Sequence, residues 1–279
     1  MIRIALPNKG QLFDRTMELL QACGYRVNKA LRSLSTLDTE NEVEFFFLRP
    51  GDIPIYVANG ILDAGITGKD FVAERGVSPV CVYDLNYGQS KLCAAAPAEL
   101  KLTSLDQLRG KRIATSFPNL TARRFPERGA LVELEGAVEI SVRLGIADAV
   151  VDLVETGSTL RQAGLMIVGE PLFESCAALF AHPGREHDAA IVTLRNRIEG
   201  RVLAQEYLMV EYDCPSDILT LACEITPGIE SPTVMSLAKP GWSSVKSMVN
   251  RRGSQQIMDQ LSRLGCRGIL LSALESVRI

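Results

Sequence analysis

The chain has 279 residues, of which 47% are hydrophobic and 23% charged, and its formal net charge is −3. Such a length is enough for two or three globular domains. The longest uninterrupted apolar run, Cys176–Ala181, is far shorter than the roughly 20 residues that a membrane span needs, and the lysines and arginines form no basic stripe. We therefore expect a globular protein whose partners include neither a membrane nor a nucleic acid.

The cysteines and histidines give little indication of a metal or redox site. The seven cysteines are scattered without a CxxC pair, which argues against a disulfide framework or a zinc site and indicates thiols in a reducing compartment. The two histidines, His182 and His187, are spaced neither as a metal pair nor for a triad. The N-terminus starts with strand-like residues rather than a signal peptide, so we expect a cytoplasmic protein.

The first ninety residues alternate strand-length apolar runs with helical segments. Strands are predicted at Ile2–Leu6, Glu44–Leu48, Asp63–Thr67 and Val80–Leu85, and a polar loop leading into a helix follows each of the first three. In open α/β sheets such loops line the ligand crevice. The polar loop residues are therefore candidate contacts for a phosphate-rich ligand, although any one of them alone is more often a solvated surface residue: Asn8, Lys9, Gly10, Arg49, Lys69 and Asp70.

The alternation of strands and helices restarts after a predicted hinge at 86–90. Strands are expected at 91–96, 112–115, 131–134, 165–168 and 175–181, and a helix at 137–144. The last strand leads the chain back, and an amphipathic helix at 190–205 returns it to the first domain. The organisation predicted is α/β, with catalytic domain I at 1–89 plus 182–205 and domain II at 90–181. Two lobes with crossing connections are typical of periplasmic-binding-protein-like folds.

The last seventy or so residues change character. Their strands are predicted at 207–212, 231–237, 242–249 and 268–274, with helices after the first and third of them. The order βαββαβ indicates a ferredoxin-like domain at 206–279. Such a module suits a regulatory appendage, and a dimerisation or purely structural domain fits the pattern equally.

The stretch Ala149–Leu160 carries the strongest functional signal. A buried strand is predicted to turn into a helix at Thr156, Gly157, Ser158 and Thr159, whose amides and hydroxyls would favour a phosphate. Asp152 and Glu155 lie just upstream, and carboxylates accept hydrogen bonds from a sugar diol. A phosphorylated ribose would satisfy both parts of this site, because its phosphate would bind the donors of the turn and its hydroxyls would bind the carboxylates. The alternative is an ordinary strand-to-helix connection with a threonine N-cap and a solvated glutamate.

A longer pattern surrounds this stretch, formed by Glu139, Gly145, Ala147, Val150, Asp152, Leu153, Thr156, Gly157, Thr159 and Leu160. Its spacing resembles the signature of ATP phosphoribosyltransferase, the enzyme that opens histidine biosynthesis. The resemblance covers nearly the whole chain, since four further segments are similar to that family: Pro7–Gly10, Phe46–Arg49, Asp63–Gly68 and Gly110–Thr115. The C-terminal module resembles the one that marks the long, histidine-regulated form.

The resemblance implies that adenine N1 of ATP attacks ribose C1 of 5-phosphoribosyl-1-diphosphate and that pyrophosphate leaves. It implies that residues Thr156 to Leu160 bind the 5-phosphate and that Asp152 and Glu155 bind the ribose hydroxyls. Contacts near ATP or the diphosphate are implied for Lys9, Gly10, Arg49 and Asp70. Lys91 departs from the family, where arginine is frequent, and lysine lacks the bidentate fork that binds a phosphate.

The resemblance also implies Mg²⁺, a homohexamer built from dimers, and inhibition by L-histidine, with Asp213 and Thr233 at positions that contact the effector. The chemistry needs alignment and charge stabilisation rather than a strong base, so no general base and no protein ligand of the metal is named. Two other classes remain open at this point. One is a bilobal solute-binding protein without turnover, and the other is a non-catalytic subunit that retains the fold.

Overall fold

The computed structural model describes residues 1–30 and 33–278, which form two compact units. The first unit comprises Met1–Gln21 and Tyr25–Arg195, and the second comprises Ala22–Gly24 and the chain from Asn196 onward. The boundary that the sequence predicts at residue 206 therefore lies later than the one observed. The predicted end of the third domain, residue 279, lies outside the described residues.

The N-terminal part of the first unit forms strand–helix repeats close to those predicted. The elements are β1 (Ile2–Pro7), α1 (Gly10–Ala22), β2 (Ser35–Asp38), β3 (Val43–Leu48), α2 (Ile53–Ala58), β4 (Ala64–Gly68), α3 (Lys69–Arg75) and β5 (Val80–Asp84). Strand β1 pairs in parallel with both β3 and β4, and its Ile4, Ala5 and Leu6 are fully buried. A central parallel strand is covered on both faces, which explains its continuous apolar run.

The second lobe of this unit has its own five-stranded sheet. Its elements are β6 (Ser90–Pro97), β7 (Ile113–Thr115), α4 (Pro118–Arg124), β8 (Leu131–Glu133), α5 (Ile140–Arg143), β9 (Ala149–Val154), α6 (Ser158–Gln162) and β10 (Leu165–Ser175). The strand order is β10-β6-β9-β7-β8, in which β9, β7 and β8 run parallel. The buried side chains on its two faces form separate clusters, one around Leu92 and Ile113 and the other around Val150 and Leu160.

Strand β11 (Ala177–Ala181) corrects one predicted boundary. It pairs antiparallel with both β4 and β5, so it belongs to the first sheet, whose order is β2-β3-β1-β4-β11-β5. The sequence analysis instead placed residues 177–181 in the second lobe. The apolar run shows that the strand is buried, but it carries no information about which sheet supplies its partners. This crossing completes the two-lobed α/β architecture that was expected.

Three local differences have physical reasons. Strand β2 was not predicted, because Ser35–Asp38 is a short polar segment at a sheet edge. The helix predicted at 137–144 shortens to α5, because Ala137 has a φ of +49°, outside the right-handed helical region. Strand β10 extends beyond the predicted 165–168 because pairing with β6 resumes at Phe173 after an irregularity that follows Val168.

The second unit is a ferredoxin-like module, as predicted. After α7 (Ala189–Glu206) it contains β12 (Tyr207–Pro215), α8 (Leu219–Ile225), β13 (Thr233–Ser236), β14 (Trp242–Asn250), α9 (Ser254–Leu264) and β15 (Arg267–Ala273). The sheet order is β13-β14-β12-β15, and every neighbouring pair is antiparallel. Alternate residues of β12 are buried with α8 and α9 residues in one cluster, which leaves the intervening β12 residues on the opposite face.

Candidate active site

Parallel pairing places the predicted loops of the first lobe at one sheet edge. The last residues of β1 and β3, Pro7 and Leu48, are register partners, so Lys9 and Arg49 follow neighbouring strand ends. Strand β4 flanks β1 on its other side and leads into Asp70. Lys9, Gly10 and Arg49 are exposed. The structure therefore brings these predicted residues to the same edge, as expected for loops beyond adjacent parallel strands.

Asp70 differs from the other residues at this edge because its side chain is only 3% exposed. Its Oδ1 accepts a hydrogen bond from Ser175 Oγ at 2.5 Å, and its amide donates to the same hydroxyl at 3.0 Å. Burial raises the pKa of the Asp70 carboxyl above its ordinary value, and the hydrogen bond from Ser175 offsets part of that rise. The carboxylate is therefore already engaged within the protein.

The contact between Asp70 and Ser175 joins the strand-end edges of the two sheets. Ser175 ends β10 and pairs with Ser90 of β6, whose next residue, Lys91, pairs with Val154 at the end of β9. Ser175 thus lies at the edge where β9 ends, while Asp70 lies just beyond the end of β4. The candidate phosphate loop and the candidate ATP loops therefore belong to edges that meet.

The turn after β9 has the form expected of an anion-binding loop. Gly157, with a φ of +70°, is the N-cap of α6 and carries no capping side chain, while the Thr156 hydroxyl accepts from the Ser158 amide at 3.5 Å. The N-cap position is therefore a glycine and not a threonine. Thr156, Ser158 and Thr159 are exposed, and the Thr156 and Ser158 hydroxyl oxygens lie 3.1 Å apart. Leu160 is 6% exposed and contributes its side chain to the core, which anchors the loop.

Asp152 and Glu155 lie at the same edge but in different environments. Glu155 is exposed, whereas Asp152 is half-buried. Asp152 Oδ1 accepts hydrogen bonds from Ser116 Oγ at 2.8 Å and from the Leu153 amide at 2.9 Å. Burial raises the pKa of the Asp152 carboxyl; the two hydrogen bonds lower it, and the charge of Glu139 raises it. Sequence reasoning missed Ser116; its place directly after a predicted strand was the available signal.

Helices α3 and α4 form a second contact between the two lobes. Glu74 of α3 is 8% exposed and accepts hydrogen bonds from the amides of Asn119 at 2.9 Å and Leu120 at 2.7 Å. Arg123 donates to the carbonyl of Ala73 in the opposite direction. The amides of Asn119 and Leu120 belong to the first turn of α4, so the Glu74 carboxylate satisfies donors that have no partner within the helix. Sequence reasoning gave no indication of this contact.

The predicted effector residues lie on one face of the ferredoxin-like sheet. Thr233 of β13 pairs with Lys246 of β14, which in turn pairs with Glu211 of β12. Asp213 lies two residues beyond Glu211, so its side chain projects from the same face. This face is opposite the buried β12 residues, and Lys246 and Glu211 form an ion pair of 3.0 Å on it.

Neither a metal-binding cluster nor a membrane-spanning helix is found among the described residues. In the part of the chain that the structure describes, no group of three or more histidine, cysteine, aspartate or glutamate side chains is arranged to hold a metal ion. Within the same residues, no helix combines the length and apolar character needed to cross a membrane.

Comparison with known proteins assigns the family. Residues 49–200 match the family model of ATP phosphoribosyltransferase, and residues 204–276 match the model of its C-terminal domain. The chain belongs to the ATP phosphoribosyltransferase family. Members of this family are pentosyltransferases, so the chain is an enzyme and the solute-binding alternative does not hold. The match to the C-terminal domain agrees with the long form that the sequence indicated.

Individual members of the family match over the full length. ATP phosphoribosyltransferase from Rhodococcus erythropolis is 46% identical over 282 residues, which cover 100% of this chain and 99% of that protein. The protein of the same name from Nocardia farcinica is 45% identical with the same coverage. Among solved structures, a chain of the ATP phosphoribosyltransferase (HisG:HisZ) complex from Thermotoga maritima matches with a TM-score of 0.64 and 26% identity, covering 74% of this chain and 100% of that one.

Proposed function

We propose that the chain transfers the phosphoribosyl group of 5-phosphoribosyl-1-diphosphate to N1 of ATP. The products are phosphoribosyl-ATP and pyrophosphate, and the reaction is the first step of L-histidine biosynthesis. Membership of the ATP phosphoribosyltransferase family supports the reaction. The observation that carries the site assignment is the meeting of the two strand-end edges, one with Asp152 and the turn at Gly157, the other with Lys9 and Arg49.

The phosphoribosyl diphosphate would bind at the end of β9. Asp152 and Glu155 would accept hydrogen bonds from the ribose hydroxyls, and the amides and hydroxyls of residues 156–160 would bind the 5-phosphate. The exposure of Thr156, Ser158 and Thr159 supports this role, as does the glycine at the N-cap of α6, which contributes no capping side chain. Lys91 pairs with Val154 at this edge, and its Nζ lies 2.8 Å from Glu174, so its charge is already balanced within the protein.

ATP would bind at the opposing edge. The exposed Lys9 and Arg49 are suited to the negative charge of its phosphates, and the amide of Gly10 lies at the start of α1. Asp70 belongs to the same group of proposed contacts. Its side chain is 3% exposed and its Oδ1 already accepts from Ser175, so we regard it as the least available of the four.

The residues of this site would act by alignment and charge stabilisation. Displacement at ribose C1 develops positive charge on the ring and negative charge on the departing diphosphate, while adenine N1 already carries the attacking lone pair. Carboxylates beside the ribose and cations at the opposite edge match this separation of charge. Bound Mg²⁺ would supply neutralisation of the diphosphate. Since Mg²⁺ retains several waters and binds readily to phosphate oxygens, substrate oxygens and water would be its main ligands.

The ferredoxin-like module would make the enzyme sensitive to L-histidine. Asp213 and Thr233 share a sheet face on which a carboxylate could bind the effector's ammonium group. We propose that histidine binds between modules of neighbouring subunits and shifts a conformational equilibrium of a hexamer built from dimers.

An assay that follows adduct formation from ATP and phosphoribosyl diphosphate, with and without histidine, tests this function. Asp152→Asn and Thr159→Val should each reduce turnover severely while leaving the fold intact. Asp259→Asn and Thr39→Val remove the same groups at exposed positions and serve as controls. Wild-type turnover in both Asp152→Asn and Thr159→Val would contradict the site assignment.

A further inference from the structure

Ser116 is held beside Asp152 by the pairing of two strands. Thr115, the last residue of β7, is the register partner of Val151 in β9, so the next residues on each strand, Ser116 and Asp152, are also neighbours. The Ser116 hydroxyl donates to Asp152 Oδ1, which also accepts from the Leu153 amide. No donor among the described residues reaches Oδ2 of the same carboxylate. One oxygen is therefore fully engaged and the other remains an acceptor.

The turn that carries Ser116 is itself fixed from the protein interior. Thr115 Oγ1 accepts a hydrogen bond from the Phe117 amide at 2.9 Å and lies 3.1 Å from Thr121 Oγ1. All three residues are buried, and Pro118 restricts the backbone where α4 begins. The position of the Ser116 hydroxyl is consequently set before any ligand binds, which lowers the entropic cost of orienting the carboxylate.

We propose that Ser116 is a positioning residue for the phosphoribosyl donor: its hydroxyl holds Asp152 Oδ1 and so leaves Oδ2 to accept hydrogen bonds from the ribose hydroxyls. The inference rests on the proposed function and extends it to a residue outside the 149–160 stretch. Ser116 acts through Asp152, and no contact between Ser116 and substrate is required. A carboxylate that could rotate would present its oxygens to the diol only part of the time.

The pKa of Asp152 provides a second measurable sign of the role of Ser116. Three groups face the Asp152 carboxyl: Ser116 on the turn after β7, Glu139 in the segment before α5, and Cys93, the register partner of Asp152 on β6. Burial raises the pKa of Asp152, and the Ser116 hydrogen bond is the largest of the effects that lower it. Loss of the hydroxyl should therefore raise the pKa of Asp152 further. The ionised carboxylate accepts more strongly from a diol than the neutral acid does, so activity should be lost at a higher pH.

The test compares Ser116→Ala, Ser116→Thr and the control Ser104→Ala. The Ser104 hydroxyl also takes part in hydrogen bonding within the protein, but it accepts from backbone amides such as that of Asp106 and contacts no carboxylate. For Ser116→Ala we expect the KM for phosphoribosyl diphosphate to rise about tenfold, as for loss of one charge-assisted hydrogen bond, while the KM for ATP stays unchanged. The acid limb of kcat/KM should move to higher pH. Ser116→Thr should restore both quantities, and Ser104→Ala should alter neither.

Two further measurements separate this inference from the proposed function. A ¹³C NMR titration of the Asp152 carboxyl should show a higher pKa in Ser116→Ala than in wild type, and calorimetric titration with phosphoribosyl diphosphate should show weaker binding. Neither requires turnover. If wild type fails to form the adduct, the proposed function fails, and these two measurements still decide the role of Ser116. A folded Ser116→Ala variant with wild-type KM, acid limb and affinity would overturn the positioning role.

Discussion

The Glu74 carboxylate offers a direct test of how the two lobes are held together. It is 8% exposed and accepts one amide hydrogen bond on each oxygen, from Asn119 at 2.9 Å and from Leu120 at 2.7 Å. Glu74→Gln keeps the shape of the side chain and one acceptor oxygen. The other oxygen becomes an NH₂ group that faces a backbone N–H, so one hydrogen bond is lost and a buried donor has no acceptor.

The magnitude follows from this geometry. A hydrogen bond to a charged group contributes about 1.5–3 kcal/mol, and the donor left without a partner adds to the loss. Removal of the negative charge from the start of α4 costs a further ~0.3–1 kcal/mol. We therefore expect Glu74→Gln to lower the free energy of unfolding of the first unit by about 2–4 kcal/mol.

Urea unfolding followed by circular dichroism measures the effect as a lower transition midpoint at an unchanged m value. Glu135→Gln is the matched control, because Glu135 is an exposed glutamate of the same compact unit, and its effect should stay within about 0.5 kcal/mol. Equal midpoints for Glu74→Gln and Glu135→Gln would refute the view that this carboxylate holds α4 to α3.

Three further outcomes test the site and its regulation. Gly157→Ala should raise the KM for phosphoribosyl diphosphate, because Gly157 has a φ of +70° and an L-residue there costs about 1–2 kcal/mol or displaces the loop amides; an unchanged KM would mean that the turn does not bind the phosphate. In wild type, kcat/KM for this substrate should fall as the pH drops through the raised pKa of Asp152, since the ionised form accepts more strongly from the diol than the neutral acid. An acid limb at the ordinary aspartate pKa would contradict this. Removal of the residues after Gln205, or Asp213→Ala in the full chain, should weaken inhibition by histidine in the adduct assay, and persistent inhibition in both would exclude the module as the effector site.

The parts of the fold encoded in short stretches were predictable. Strands β1, β3 and β4 and the helices after them follow from apolar periodicity, and the rule that loops beyond parallel strands line a crevice grouped Lys9 with Arg49 before their register was known. The turn at Gly157 was equally local, because strand, glycine and hydroxyl residues follow one another within a dozen positions. Such signals depend on backbone preferences that each segment carries by itself.

Features that depend on distant partners were not predictable in the same way. An apolar strand such as β11 does not encode which sheet it joins, and the acceptor role of Glu74 depends on amides 45 and 46 residues further along the chain. The polar strand β2 lies at a sheet edge and has only four residues, too few to show an alternating apolar pattern. In each case the physical cause lies in tertiary pairing rather than in the segment.

Asp70 and Asp152 show how such distant pairing decides which candidate residue can bind a ligand. Both follow the same design, in which a serine on another segment donates to one carboxylate oxygen, and burial raises both pKa values. Asp70 is 3% exposed, and its serine lies 105 residues away on β10 at the junction of the two edges, so Asp70 acts mainly as part of that junction. The serine that donates to Asp152, Ser116, directly follows the neighbouring parallel strand β7, and Asp152 stays half-buried. The same pair of residue types therefore forms a structural junction in one place and an accessible acceptor in the other, and exposure rather than residue type distinguishes them.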